Sequence, residues 1–445
     1  MIRRTLFFLL TFCGVFLTAC SDDDDFDSRR SDLLTFETDT LTMDTVFSNV
    51  GSSTYTFWVY NHTERGIRLS TVRLRGGSQT GFRVNVDGTY LDNTQGSVAA
   101  NLELRSGDSL RVFVELTSPA TGRQEPQQVV DDLVFRHESG AEQRVRLEAW
   151  AWDALKLTDF VVSHDTLIES ATPIILYGKG LCVDSSATLT LRATTLFFHD
   201  GAGIDVYGRL SAEDCVLRGD RLDHMFDYLP YDRVSGQWRG VHIAASSTGN
   251  VMVDTEIRNA LTAIDLTDSL GRDTLTTALT MTRCVVHNAK GDGVVACGAK
   301  LLLSYCQLTN TLGDCLRLNG GVATVDHTTL AQFYPFSADR GAALRFVGNG
   351  PLRLVCTNSI LTGYADDVLM GEPGDTTLLF SYSFSNCLLR TPAVEDDSVN
   401  FRNIIWETPK DSVQGAKHFV NIDEENLYYD FHLDSLSTAW GKGCY

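Results

Sequence analysis

Two short stretches decide the fold: Cys284-Val285-Val286-His287-Asn288 and, 22 residues later, Cys306-Gln307-Leu308-Thr309-Asn310. Both place a cysteine, an aliphatic residue and an asparagine at alternate positions, and similar segments lie on either side. The three columns are Thr255, Cys284, Cys306, Thr328, Asn358 and Asn386; then Ile257, Val286, Leu308, Leu330, Ile360 and Leu388; then Asn259, Asn288, Asn310, Gln332, Thr362 and Arg390. In the middle column the steps are 29, 22, 22, 30 and 28 residues, which indicates a repeat of about 22 residues with insertions.

The longer steps contain polar or turn-forming segments at residues 268–274, 334–341 and 371–375, as expected for loops inserted between coils. A coil made of short strands cannot bury one face alone, whereas stacked coils share a continuous core. The sequence therefore predicts an all-β solenoid in which Val286, Leu308 and Leu330 are vertical neighbours.

Leucine-rich repeats have a similar length, but these coils lack their fixed leucines and helical return. They have β-branched residues and Gly-Asp turns at residues 291–293 and 313–315 instead. This pattern resembles the right-handed parallel β-helix of the pectate-lyase-like superfamily, which implies such a domain over residues 160–445. Asn259, Asn288 and Asn310 would then form a structural amide ladder at a tight corner.

Residues 33–153 show a different pattern, in which strand-like runs of period two alternate with turn residues, for example Phe57-Trp58-Val59-Tyr60 and Val112-Phe113-Val114. About seven such runs predict a β-sandwich. The order of the runs resembles immunoglobulin-like domains of the major-sperm-protein and cilia-associated type. That resemblance implies a binding or spacer module without catalytic residues.

The N-terminus indicates export and anchoring. A charged start and an apolar run form a signal peptide over residues 1–19, and Leu17-Thr18-Ala19-Cys20 resembles the lipobox of bacterial lipoproteins. The resemblance implies acylation of Cys20, anchoring to outer-membrane lipid, and an acidic tether over residues 20–32. The acidic run resembles an export signal to the outer face of the outer membrane, although an anchor facing the periplasm stays open.

Composition limits the partners and the covalent framework. The formal charge of −20 argues against nucleic acid as a partner. Beyond Cys20, nine cysteines lie between Cys182 and Cys444. An odd number confined to one half is a poor disulfide framework, so most are expected to be reduced, buried and structural, such as Cys284 and Cys306 stacked on adjacent coils. One pair could oxidise.

A search for catalytic motifs of β-helix enzymes gives little. Only Asp366-Asp367 resembles one piece of the galacturonan-hydrolase set, and a lone pair of this kind is typical of a turn. No catalytic residue, metal site or cofactor follows from the sequence. Calcium would enter only if the chain were a lyase, because that chemistry needs several carboxylate ligands.

The segment 218–233 interleaves acids, arginines and aromatics, which is the chemistry that grips sugars. The candidate ligand-binding residues are Arg218, Asp220, Arg221, Asp223, Asp227, Tyr228, Tyr231, Asp232, Arg233 and Trp238. The alternative is a structural loop that packs its aromatics on the coils and pairs its charges locally.

These features predict a lipid-anchored protein at the cell exterior that presents a β-helix to a glycan or a surface protein. A polysaccharide lyase or glycoside hydrolase of a β-helix subfamily without the known catalytic motifs is the first alternative. A structural component of the cell surface is the second.

Overall fold

The computed structural model describes residues 26, 29–91, 98–224, 230–268, 273–374, 376–394 and 396–444. The chain is all-β, with 53% of residues in strands and 2% in helices. It divides into two compact units, Met1–Trp152 and Asp153–Tyr445. The predicted signal peptide, Cys20 and most of the predicted tether lie outside the described residues. In the described ranges, no helix combines the length and apolar character needed to cross a membrane.

Over its described residues, the first unit contains two five-stranded sheets, with the orders β1-β3-β8-β5-β6 and β2-β10-β9-β4-β7. The strands are β1 (Thr35–Phe36), β2 (Thr40–Phe47), β3 (Tyr55–Tyr60), β4 (Ile67–Leu74), β5 (Phe82–Val86), β6 (Thr89–Tyr90), β7 (Val98–Leu104), β8 (Ser109–Leu116), β9 (Gln127–His137) and β10 (Glu142–Trp152). Alternate residues of β8, among them Val112 and Val114, are fully buried. They join residues of the other sheet, such as Leu69 and Leu147, in one core, so the period-two pattern builds two layers around a shared interior.

The second unit begins with strands that wind into coils. They are β11 (Leu155–Val162), β12 (Thr166–Glu169), β13 (Ile174–Val183), β14 (Thr188–Arg192), β15 (Thr195–Phe198), β16 (Gly203–Val206), β17 (Arg209–Glu213), β18 (Val216–Gly219), β19 (Val241–Ile243), β20 (Asn250–Val253), β21 (Glu256–Arg258), β22 (Ile264–Leu266), β23 (Leu279–Thr282), β24 (Val285–Ala289), β25 (Val294–Cys297), β26 (Lys300–Ser304) and β27 (Gln307–Thr311).

The remaining strands complete the coils and end in a hairpin. They are β28 (Leu316–Asp326), β29 (Thr329–Gln332), β30 (Leu344–Thr357), β31 (Ile360–Gly363), β32 (Leu369–Glu372), β33 (Phe380–Ser385), β34 (Leu388–Leu389), β35 (Phe401–Arg402), β36 (Ile405–Trp406), β37 (Phe419–Asp423) and β38 (Tyr428–Leu433). Short 3₁₀ helices span Tyr231–Arg233 and Gly415–His418.

Strands β11 to β36 form one 26-stranded sheet in which each strand pairs in parallel with an equivalent strand of the next coil. Strand β21 pairs with β24 and β24 with β27, while β22 pairs with β25 and β25 with β28. This is a solenoid of the β-helix type, and it confirms the predicted all-β class and large parallel sheet. We call the face formed by β15, β18, β21, β24, β27, β29, β31, β34 and β36 the second face. We call the face formed by β16, β19, β22, β25, the first halves of β28 and β30, and β32 the third face.

The predicted vertical file is present. Val286 pairs with Leu308, and Leu308 pairs with Leu330; all of them are fully buried in one core. The later part of the predicted column is wrong by one residue, because Leu330 pairs with Leu361 rather than Ile360. The same shift replaces Leu388 by Leu389. At both places two aliphatic residues are adjacent, and the outward one is also buried, under the C-terminal hairpin.

A second file contains four of the nine cysteines in the described part of the second unit. One corner of each coil has a residue in the left-handed region, such as Arg283 (φ 53°) and Tyr305 (φ 55°). The next residue carries a small hydroxyl or thiol that donates to the carbonyl two residues earlier, over 2.7 to 3.4 Å. The members are Cys215, Thr255, Cys284, Cys306, Thr328, Ser359 and Cys387. Each thiol therefore closes a tight turn, and every cysteine in the described part of the chain is free.

The opposite corner holds Asn259, Asn288 and Asn310, all with positive φ. The amide of Asn288 donates to Asn259 over 3.0 Å, whereas the amide of Asn310 has no hydrogen-bond partner among the described residues. A continuous amide file occurs instead at the corner described above for Arg283 and Tyr305. There Asn386 donates to Asn358 over 2.7 Å and Asn403 donates to Asn386 over 2.9 Å.

Candidate functional site

The C-terminal hairpin, β37 and β38, packs on the outer side of the second face. Its inward side chains Phe419, Phe431 and Leu433 join Phe333 and Ile360 in a small separate core. The hairpin covers the later coils, and the outward residues of β21 and β24 form the floor of a cleft beside it. This cleft has a volume of about 560 Å³. We call it the hairpin cleft; the lining residues used below are Arg233, Glu256, Arg258, His287, Tyr428, Tyr429, Asp430 and His432.

The floor of the hairpin cleft carries an ion pair and a neutral imidazole. Arg258 contacts Glu256 over 2.5 Å, and each side chain is about one-third exposed. The register partner of Arg258 on the next coil is His287, whose Nδ1 lies 2.8 Å from Thr309 Oγ1. Burial, aided by the charge of Arg258, lowers the pKa of His287 to about 3. His287 is therefore uncharged at neutral pH.

The wall of the cleft comes from the hairpin. The ring of Tyr429 packs against His287 with centroids 5.2 Å apart, and Tyr428 is 56% exposed. The backbone N–H of His432 donates to Asp430 over 3.0 Å and its ring Nδ1 lies 2.6 Å from the same carboxylate. These hydrogen bonds lower the pKa of Asp430. The wall thus presents exposed aromatic surface next to an ionised carboxylate.

Arg233 closes the cleft on the remaining side. Its guanidinium donates to the carbonyl of Asn426, in the hairpin turn, over 2.7 Å. Its own carbonyl accepts a hydrogen bond from the amide of Asn288. One residue therefore ties the segment before β19 to both the corner asparagine and the hairpin.

A buried network holds the segment that carries this wall. The carboxylate of Glu407 accepts hydrogen bonds from Arg390, from Thr362 and from the backbone of Gly415, and lies 3.2 Å from Nε2 of His418. His418 Nδ1 lies 2.9 Å from the hydroxyl of Ser437. The order of hydroxyl, imidazole and carboxylate is that of a hydrolytic triad, but all three side chains are buried. We therefore assign the network to anchoring the C-terminal segment.

The structure distributes the residues of the predicted loop over several contacts. Arg233 lines the hairpin cleft. The other described members interact locally: Arg218 donates to the carbonyl of Arg221, Arg221 pairs with Asp223 at 2.7 Å and lies over the ring of Tyr231, and Asp220 lies 2.7 Å from His199.

Four of the predicted residues cannot be placed in the cleft. Asp227 and Tyr228 lie outside the described residues, as does the side chain of Asp232. Trp238 is 1% exposed and its ring stacks on Phe198 with centroids 4.2 Å apart. Trp238 is therefore a core residue rather than a surface ligand group, because its position inside the first coils leaves no ring face for a ligand.

The sequence did not single out Glu256, Arg258 and His287. The available signal was the alternation of buried and polar residues, in which Glu256 and Arg258 flank buried Ile257 in β21 and His287 follows buried Val286 in β24. The contribution of Tyr428 and Asp430 had no such signal, because the hairpin reaches the second face only through tertiary packing.

A second cavity, of about 480 Å³, lies on the third face. Its carboxylates include Asp292, Asp314 and Glu372, and its arginines include Arg317 and Arg345. Burial raises the pKa of Asp292. This cluster of acids and bases on one face was also not predicted. Over the described ranges, no group of three or more histidine, cysteine or acidic side chains is placed to hold a metal ion.

No family model and no curated protein matches the chain. Among solved structures, it is similar to the catalytic unit of a thermostable GH87 α-1,3-glucanase from Streptomyces thermodiastaticus strain HF3-3, with 12% identity, a TM-score of 0.26, and coverage of 79% of this chain and 89% of that chain. It is also similar to an ASH/PapD-like domain of human CEP192, with 13% identity, a TM-score of 0.19, and coverage of 31% of this chain and 96% of that chain. Both TM-scores are low, so the functional argument depends on the residues of this chain.

Proposed function

We propose that this chain is a lipid-anchored protein of the outer membrane that presents a right-handed β-helix to the cell exterior and binds glycans in the hairpin cleft. The first unit would be an immunoglobulin-like spacer. The observation that carries the proposal is a cleft of about 560 Å³ in which aromatic and charged side chains converge.

The chemistry of the cleft suits a saccharide. Small-molecule sites usually enclose about 300–1,000 Å³, so one or two sugar rings fit. The exposed ring of Tyr428 offers an apolar face for stacking, while Arg258, Glu256 and Asp430 offer donors and acceptors for hydroxyl groups. Neutral His287 adds a hydrogen-bonding group without adding charge.

A glycan array tests the binding proposal. The purified protein should bind a defined set of glycans, and Tyr428→Ala and Arg258→Gln should each weaken that binding at least tenfold, because each removes a stacking or hydrogen-bonding group. Tyr305→Ala is the matched control, since Tyr305 is a similarly exposed tyrosine that stacks on His327 outside the cleft. Equal binding by all variants would contradict the proposed site.

The anchoring proposal is supported by the lipobox-like residues up to Cys20, which lie outside the described part of the chain. Cells grown with labelled palmitate should incorporate label into the wild-type protein and not into Cys20→Ala. Protease treatment of intact cells would separate the two orientations, because only a protein on the cell exterior would be digested.

A second candidate function is glycoside hydrolysis or polysaccharide cleavage at the second cavity. It is favoured by Asp292 and Glu372, which line this cavity together with arginines. Burial raises the pKa of Asp292, whereas Glu372 is exposed, and two carboxylates in different environments can serve as acid and base. Incubation with a panel of polysaccharides should then release new reducing or unsaturated ends, and Asp292→Asn should abolish the release. Retention of polysaccharide without cleavage would leave binding as the function.

A further inference from the structure

The third face repeats one ion pair on two successive rungs of the solenoid. Val294 pairs with Leu316 in the register, so Asp292 and Asp314 occupy equivalent positions on neighbouring coils, about 4.8 Å apart along the axis. Arg317 pairs with Arg345 in the same way. The relation of Asp292 to Arg317 is therefore the relation of Asp314 to Arg345, one coil earlier.

In the later ion pair, Asp314 and Arg345, the carboxylate has no free oxygen, and we call this pair the closed rung. Asp314 Oδ2 accepts a hydrogen bond from Arg345 Nε over 2.8 Å, and Arg345 also contacts Glu372 over 3.2 Å. The second oxygen of Asp314 accepts the backbone N–H of Ala342 over 2.7 Å. Both oxygens are used and the side chain is buried, so the carboxylate of this rung has no oxygen left for a ligand.

In the earlier ion pair, Asp292 and Arg317, the two side chains do not reach hydrogen-bond distance, and we call this pair the open rung. Arg317 lies 4.0 Å from Asp292 Oδ2, which is beyond hydrogen-bond distance. Asp292 Oδ1 accepts the backbone N–H of Asp314 over 2.7 Å, as its counterpart does. The side chain of Arg317 is 49% exposed and has only this long contact within the described part of the chain. One carboxylate oxygen and a planar guanidinium therefore stand side by side in a cavity, with their hydrogen-bonding capacity unused.

We propose that the open rung, Asp292 and Arg317, is a second saccharide-binding site that takes two neighbouring hydroxyl groups of an uncharged sugar and acts independently of the hairpin cleft. A hydroxyl can donate to Asp292 Oδ2 while its neighbour accepts from Arg317, and each hydroxyl both donates and accepts.

The charge of the cavity selects against an anionic sugar. Four carboxylates, Asp292, Asp314, Asp339 and Glu372, face three guanidinium groups, Arg317, Arg340 and Arg345. Asp314 and Glu372 already engage Arg345, so an incoming carboxylate or sulfate would compete with Asp292 for Arg317. The formal charge of −20 on the chain acts in the same direction. Uncharged hydroxyl groups meet no such competition.

Saturation-transfer NMR with the purified protein tests this site, using methyl α-D-mannopyranoside and methyl α-D-glucopyranoside as neutral probes and methyl α-D-glucuronate as the anionic probe. At least one neutral probe should bind, and the anionic probe should bind at least tenfold more weakly. Arg317→Gln should weaken the neutral probe at least tenfold. Arg353→Gln, which changes an exposed arginine on another face, should leave it unchanged.

Asp292→Asn sharpens the test. The variant keeps the oxygen that accepts the backbone N–H of Asp314, so the coil should stay folded, but it replaces the free oxygen by a donor. Binding of the neutral probe should fall at least tenfold while the melting temperature is retained. Tyr428→Ala, which damages only the hairpin cleft, should leave this signal unchanged, so failure of either site is recognised separately.

The inference is overturned by any of four results. The first is no binding of either neutral probe at about 100 mM, a concentration at which a specific site should be occupied. The second is binding of the neutral probe by Arg317→Gln as tight as by the wild type. The third is binding of the anionic probe as tight as that of the neutral probe. Loss of the signal in Tyr428→Ala would also overturn it, because the probe would then occupy the hairpin cleft alone.

Discussion

The inner and outer files of the same three strands obey different rules. Inside β21, β24 and β27, the file of Ile257, Val286 and Leu308 repeats one kind of residue. On the outside, one position further along, the corresponding file holds Arg258, His287 and Thr309. Stacking of coils demands aliphatic side chains inside, whereas the outer positions meet only what packs on the surface. The repeat therefore fixes the type of residue that faces the interior. The outward residues are not constrained in this way, so they can vary and form a binding site.

The largest expected effect comes from the network that holds the hairpin on the outer face. Glu407→Ala should lower the free energy of unfolding of the second unit by about 3–5 kcal/mol, because it leaves buried Arg390 without its main partner. Thermal unfolding measures the loss. Asp366→Asn is the matched control, since Asp366 pairs with Arg390 from an exposed position and should cost less than about 1 kcal/mol. Equal losses of stability in Glu407→Ala and Asp366→Asn would contradict the assignment of Glu407 as the group that holds the C-terminal segment.

A large effect is also expected from the inner file. Leu308→Ala should destabilise the second unit by about 2–5 kcal/mol, because it opens a cavity between neighbouring coils. Leu302→Ala removes the same atoms from an outward position of β26 and should cost distinctly less in the same denaturant titration. If the two variants lost equal stability, the contrast between inner and outer positions would be broken.

The buried network around Glu407 should also make the stability of the second unit depend on pH. Burial alone would raise the pKa of Glu407, but hydrogen bonds from His418 and Arg390 outweigh it and the pKa is lowered. A lowered pKa in the folded state means that the stabilisation is present above the ordinary carboxyl range and is lost as the pH falls through the lowered value. Melting temperatures measured across acidic pH should decline more steeply for the wild type than for Glu407→Gln. An identical slope would exclude Glu407 as the source.

The smallest effect is expected at the corner file of thiols and hydroxyls. Cys306→Thr should change the free energy of unfolding by less than about 1.5 kcal/mol, because threonine has a similar volume and its hydroxyl can bond the same carbonyl. Thr255 and Thr328 already occupy equivalent positions. Cys306→Leu, which cannot donate and is larger, should be clearly less stable. Loss of folding in Cys306→Thr would mean that the thiol has a role beyond the corner hydrogen bond.

The sequence allowed the fold to be predicted where its pattern is periodic. The file from Ile257 to Leu330 could be read because one aliphatic residue stands at each inward position. The prediction failed by one residue at Leu361 and Leu389, where an adjacent aliphatic residue faces outward beneath the hairpin. Nothing in the local pattern distinguishes these two neighbours, because both are buried and only the tertiary contact differs.

The candidate site was largely beyond prediction for the same reason. The hairpin cleft joins Arg258 to Tyr428 across a long stretch of chain, and no repeat links the two segments. The predicted loop contributed Arg233, while most of its other charges pair locally. The open rung was accessible in principle, since Asp314 and Arg317 are three residues apart on one coil and Asp292 is one repeat earlier. Recognising it required knowing which rung is closed.

The most direct test of the account is a crystal structure of the protein with the tightest glycan found on the array. We expect sugar density in the hairpin cleft, with one ring against Tyr428 and hydroxyl groups within hydrogen-bond distance of Arg258 and Glu256. Density confined to any other surface, or an empty cleft at a saturating glycan concentration, would contradict the proposal that the outer file of the second face and the hairpin together form the binding site.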